Sequence, residues 1–158
     1  MKANLPPQAP TARLHGCTNL KLRQLMRRIA QHYDTELGKA GLKTTQYSLL
    51  SYVLKLGPVR PGELANAIKM DASTLTRNLK PLIEAGWVTL SPGPDGRSRS
   101  VAITAAGQAK QHEALQHWKT AQQTLNRQLG HDRVLALHVL IDDALELLST
   151  SPSETISI

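Results

Sequence analysis

Between Ser73 and Lys80 the chain gathers Ser73, Thr74, Thr76, Arg77, Asn78 and Lys80, which supply hydroxyls, an amide and two cations with no acid among them. Groups of this kind donate hydrogen bonds to anions and to base edges. Arg pairs with guanine and Asn with adenine, while hydroxyls and Lys suit phosphate oxygens. A second cluster, Asp95, Arg97 and Arg99, lies in the run SPGPDGRSRS. A third, His15, Cys17, Thr18, Asn19 and Arg23, is polar and contains the single thiol of the chain. Catalysis is not expected, because no nucleophile sits with a base, no carboxylate pair stands out and no Gly-rich phosphate loop occurs. His112, His117, His131 and His138 lack compact ligand spacing, so neither a metal nor another cofactor is expected.

The surrounding elements must position these groups. Asp71 can cap a helix, its carboxylate accepting from the amides of Ser73 or Thr74. In the run ASTLTRNLKPLIEAG, Leu75, Leu79, Leu82 and Ile83 share one face, which leaves the donors on the other sides. Pro81 removes one backbone bond and clashes a turn back, so a local bend or tightened turn is expected. After Gly86 the period changes to two, through Trp87 to Leu90 and again through Val101 to Thr104. The Gly- and Pro-rich run between them makes a β-hairpin whose tip holds Asp95, Arg97 and Arg99.

Upstream, Leu22, Leu25, Ile29, Tyr33 and Leu37 mark a first helix from about Leu14, with Gly38 and Gly41 bracketing its stop. Thr44 or Thr45 can cap a second helix, which runs through Tyr47, Leu49, Leu50, Val53 and Leu56 to Gly57-Pro58. Pro61 suits the first turn of a short third helix carrying Leu64, Ala65 and Ile68. Downstream, Thr104 caps a long helix in which Leu115, Trp118, Leu125 and Leu129 keep heptad-like spacing, broken by Gln122 and ended by Gly130. A last helix from Asp132 turns Val134, Leu137, Ile141, Ala144, Leu145 and Leu148 to one side. Neither stripe has a large domain to pack on, so a second copy of the chain is the simplest cover.

Helix, helix, then a hairpin bearing arginines is the order of a winged helix-turn-helix, which puts one helix in the major groove and the hairpin in an adjacent minor groove. Composition agrees with a mainly α fold. Of 158 residues 41% are hydrophobic and 20% charged, which predicts a real core, while 3% aromatic and no Phe favour helices packed along Leu seams. The net charge of +7 is concentrated at the front. Residues 1 to 60 hold ten Lys or Arg against two acids, residues 61 to 107 five against four, and residues 108 to 158 four against six. Such asymmetry suits a polyanionic partner. One Cys excludes an intramolecular disulfide framework, and no apolar run at the N-terminus resembles a signal peptide, so a reducing cytoplasm is expected. No stretch is long and apolar enough to span a membrane.

The run DASTLTRNLKPLIEAGWV followed by DGRSRSVAITAAG resembles the winged-helix core of the MarR family of bacterial transcription regulators. The resemblance covers about residues 14 to 149, and its most specific part is D-x-R-S-x-x-V-x-I-T-x-x-G from Asp95 to Gly107, followed by TLTR from Thr74 to Arg77. It implies a flexible arm over 1–12, one domain over 13–149 and a flexible tail over 150–158. Within the domain, 13–40 and 105–149 would be dimerisation helices and 44–104 the winged helix-turn-helix. It further implies a homodimer on a near-palindromic operator in double-stranded DNA, usually repressing nearby genes. On matching positions, the Asp71 to Ile83 helix enters the major groove and Arg97 the minor groove, with Asp95 steadying the wing arginines. A small aromatic acid as effector is also implied, between the dimerisation region and the DNA-binding lobe. Arg23 would hold its carboxylate, His15, Cys17 and Thr18 would lie beside the ring, and Tyr33 or Tyr47 would form a wall. Two other readings compete: a redox-sensing regulator acting through Cys17, and a winged-helix interaction module that binds no DNA.

Overall fold

The computed structural model describes residues 16–150. The N-terminal arm, His15 and residues 151–158 lie outside the described residues. Six α-helices and one hairpin follow in the order α1 (Thr18–Leu37), a single 3-10 turn (Gly38–Ala40), α2 (Thr44–Leu56), α3 (Pro61–Ala67), α4 (Ala72–Glu84), β1 (Val88–Pro92), β2 (Arg99–Ile103), α5 (Ala105–Leu129) and α6 (His131–Thr150). The mainly α class with a small β-hairpin wing is therefore what the chain adopts.

Local chemistry sets most boundaries. Gly16, at φ +93°, and the extended Cys17 delay α1 to Thr18, later than the spacing of its leucines predicts. Pro61 occupies the first position of α3, where its missing N–H costs nothing. Thr104 caps α5, its hydroxyl accepting from the Gly107 amide at 3.0 Å and donating to the Gly86 carbonyl at 2.7 Å. The start of α2 differs from expectation. Its cap is Lys43, whose amide donates to Gln46 Oε1 at 2.9 Å, while Thr44 turns both its amide and its hydroxyl to Asp34 Oδ1 on α1, at 2.7 and 2.6 Å. Two helices are thus tied by an acid the sequence did not single out.

The core runs from the lower half of α1 through α2, α3 and α4 to the hairpin, with Leu37, Leu50, Val53, Leu64, Leu75, Leu82, Val88 and Val101 fully buried. The strands pair antiparallel with Val88 opposite Ile103, Leu90 opposite Val101 and Pro92 opposite Arg99. Val59 adds an isolated bridge to Val101, so the segment before α3 is pinned to the wing. Gln122, which interrupts the apolar seam of α5, accepts the Tyr33 hydroxyl from α1 and passes its amide to Asn126 Oδ1 at 2.9 Å. Tyr47 stacks on Trp118, with ring centroids 6.2 Å apart.

The outer helices are left bare. Within one chain Val134 is the one buried side chain among the described residues of α6, whereas Leu135, Val139, Leu140, Ile141, Leu145 and Leu148 are exposed. Leu20, Leu22, Leu25 and Met26 on α1 are exposed as well.

Candidate nucleic-acid interface

Asp71 organises the front of α4. Its carboxylate accepts from the Thr74 amide at 2.8 Å and from the hydroxyls of Ser73 and Thr74, both at 2.6 Å. Those hydrogen bonds, led by the one from Ser73, hold Asp71 well below the usual carboxylate range. The helix then continues through Pro81 to Glu84. The proline leaves the helical phase intact: Leu75, Leu79 and Leu82 stay buried at helical spacing on both sides of it. Pro81 is exposed, so its ring has room, and its own carbonyl still accepts from the Ala85 amide.

This places the sequence-selected donors as follows. Ser73, Thr76, Arg77 and Lys80 are exposed, and Thr74 and Asn78 are half-buried. The hydroxyl protons of Ser73 and Thr74 are committed to Asp71, and that of Thr76 to the Ala72 carbonyl at 2.9 Å. Arg77 gives one N–H to Thr74 Oγ1 at 3.3 Å and keeps the rest of its fork outward. Asn78 leans inward, its amide reaching Met70 Sδ at 3.5 Å. Lys80 stands 3.8 Å from Glu84, so an acid one turn on partly offsets its charge. Arg77 is thus the strongest free donor on this helix.

The wing is built around Asp95. Its Oδ1 accepts from the amides of Arg97 and Ser98, at 3.1 and 2.8 Å, and from the Ser98 hydroxyl at 2.5 Å. The Ser98 hydroxyl, then the backbone amides and the Arg60 guanidinium, push its pKa down to about 2. Its hold on the wing runs through the Arg97 backbone. Among the described residues the guanidinium groups of Arg97 and Arg99 form no ion pair, and both side chains are exposed. The carboxylate's cationic partner is Arg60, on the far side of the hairpin in sequence, with Nη2 at 3.8 Å from Oδ2. No local pattern marked Arg60; the Val59 bridge to Val101 brings it there.

The described residues proposed for the effector are not brought together within one chain. Cys17, the cap residue of α1, is exposed, as are Thr18 and Arg23. Tyr33 and Tyr47 are in the core, and burial pushes the Tyr33 hydroxyl above its ordinary pKa. At a rise of about 1.5 Å per residue, Thr18 and Tyr33 stand roughly 22 Å apart along α1. Two hollows lie nearby. One of about 750 Å³ is lined by Lys21, Leu25, Arg27 and Arg28 on α1, and one of about 210 Å³ by Thr45, Ser48, Leu49, Tyr52, Ile68 and Met70. No helix among the described residues is long and apolar enough to cross a membrane.

Comparison with known proteins agrees with this architecture. A family model described as MarR family matches residues 40–98. An uncharacterized HTH-type transcriptional regulator, YwoH of Bacillus subtilis, is 32% identical over 93 residues, which cover 59% of this chain and 68% of that protein. The multiple antibiotic resistance protein MarR of Salmonella typhimurium is 28% identical over 138 residues, covering 86% and 91%. Among solved structures, the M. tuberculosis transcriptional regulator MosR in complex with DNA superposes with a TM-score of 0.71 at 30% identity, over 84% of this chain and 98% of that one. A chain with this helix order, this wing and these relatives belongs to the MarR family of winged-helix transcription regulators.

Proposed function

We propose that the protein is a homodimeric, cytoplasmic repressor that binds a near-palindromic operator and releases it when a small aromatic acid binds. The observation that carries the DNA reading is the set of outward cations, Arg77 on α4 with Arg97 and Arg99 on the wing, in a fold similar to that of a regulator solved with DNA. Arg77 would read a base edge in the major groove, and Arg97 a narrow, A·T-rich minor groove. Ser73, Thr74 and Thr76 serve phosphates after their hydroxyl protons rotate away from present acceptors, and Lys80 does so as a point charge. Members of this family are non-enzymatic DNA-binding regulators. The exposed leucines of α1 and α6 support a two-fold dimer. The exposed Arg23, Arg27 and Arg28 of α1 support an effector with a carboxylate.

The test is a mobility shift with the duplex that the wild-type chain selects most strongly from a random pool. Arg77→Ala is expected to abolish the specific complex, and a panel of aromatic acids to include one that releases wild type but releases Arg23→Ala less readily. Absence of any specific complex at low salt would move the protein-interaction reading to the front. Equal release of both chains would remove Arg23 from the effector site.

A further inference from the structure

Arg60 lies outside both stretches that the proposed DNA contacts draw on, yet the fold places it against the wing. Val59 donates to the Val101 carbonyl at 3.0 Å and accepts from the Val101 amide at 2.8 Å, which pins residue 59 beside β2 through an isolated bridge. Arg60 follows at once as the cap residue of α3, its amide held by Glu63 Oε2 at 3.4 Å. The backbone on both sides of its Cα is therefore fixed, and only the side chain is free to choose a partner. Its side chain is 63% exposed and its guanidinium reaches Asp95, whose Oδ1 is already occupied by three wing donors. Oδ2 is the oxygen that remains, and Arg60 is the cation that meets it.

The pair is long and open to water, so it adds little to stability. Its value lies elsewhere. Asp95 is an acid at the tip of a hairpin that approaches a polyanion, and an uncompensated carboxylate there repels phosphate. A guanidinium has five N–H donors in a planar fork, enough to face a carboxylate along one edge and a phosphate along another. A point cation such as Lys cannot hold both in fixed geometry.

We infer that Arg60 is a DNA-positioning residue that joins α3 to the wing: it neutralises Asp95 and clamps a backbone phosphate beside the groove that the wing enters. The inference rests on the DNA-binding reading above. It assigns to the segment before α3 a part in setting where Arg97 lands, and hence in the preference for flanking sequence.

Full-length wild type, Arg60→Ala, Arg60→Lys and Asp95→Asn are compared on the duplex selected by wild type, with affinity measured against salt concentration and against a set of altered flanks. Arg60→Ala is expected to bind about tenfold more weakly at low salt and to reduce the slope of log affinity against log salt by about 1, with its thermal midpoint unchanged. Arg60→Lys recovers the slope while the preference among flanks stays reduced. Asp95→Asn is expected to reduce the preference among flanks, because the wing loses the carboxylate that Arg60 meets. An Arg60→Ala slope equal to that of wild type overturns the phosphate clamp, and an unchanged flank preference in both Arg60 variants overturns the positioning role. A wild-type chain that binds no duplex at any salt refutes the underlying DNA reading, which separates that failure from the other two.

Discussion

Asp95 shows how one exposed carboxylate orders a loop. Three donors from two residues converge on its Oδ1, and the Ser98 hydroxyl is the largest reason its pKa falls to about 2 from an ordinary 3.8. A folded-state pKa below the unfolded value means that the ordering is fully present above the ordinary carboxylate range and is lost as pH falls through about 2. Asp71 behaves with the same sign at the start of α4. A carbon-detected titration of the carboxyl signals is therefore expected to put the Asp95 midpoint near 2, and Ser98→Ala to return it toward 3.8. A midpoint that does not move in Ser98→Ala would assign the depression to the backbone amides and Arg60 alone. The cap at Asp71 was legible in the sequence because a capping contact spans two or three residues, whereas the role of Asp95 in the wing came only from the family resemblance. Arg60 was not legible, since its contact depends on how two distant segments pair.

The winged-helix unit depends on close approach between elements more than on the strength of any one of them. Gly107 in the first turn of α5 is buried, and a Cβ there would stand 2.0 Å from the Trp87 carbonyl and 2.8 Å from Ile103 Cγ1. Both neighbours are held by the hairpin, so they cannot move aside cheaply. Gly107→Ala is expected to cost about 1–3 kcal/mol in thermal or urea denaturation, as overpacking does. Gly62→Ala in α3, where a Cβ meets nothing within 4 Å, should instead stabilise by about 0.4–1 kcal/mol through the unfolded chain. Opposite signs for the two would establish packing as the cause of the loss at 107; equal gains would mean helix propensity governs both. The glycine at 107 was visible as the last position of a motif, but its reason was not, because the closest clash is with the Trp87 carbonyl, 20 residues earlier in the chain. Pro81 taught the reverse lesson. A residue-level rule anticipated a disturbed helix, and the burial of Leu75, Leu79 and Leu82 against the core keeps α4 in phase.

At the scale of the whole molecule, the apolar residues divide into a buried set that closes the winged-helix lobe and an open set on α1 and α6. Leu140 and Leu148 are 66% and 77% exposed within one chain, far more than isolated surface leucines need to be. Replacing both with Glu is expected to halve the mass seen in sedimentation velocity while the far-ultraviolet circular dichroism stays helical. Loss of the paired half-sites should then weaken operator binding well beyond the effect of any single wing substitution. An unchanged mass would mean that this stripe does not form the dimer seam. The effector cluster is also a question at this scale. Cys17, Thr18 and Arg23 sit at the exposed end of α1, and Tyr33 and Tyr47 are packed inside, so one chain alone does not assemble them into a site.

The sequence by itself determined the mainly α class, the order of helices and wing, the cap at Asp71, the turn at Asp95 and the cationic character of α4 and the hairpin. These are set by periodicity and by contacts a few residues apart, and such interactions survive whatever the rest of the chain does. Only the tertiary structure decided that Tyr33 meets Gln122, 89 residues on, that Thr44 turns to Asp34 on α1 instead of capping α2, and that Arg60 faces Asp95. Each of these joins segments whose approach is fixed by burial of the shared core, a collective property that no short stretch of residues encodes.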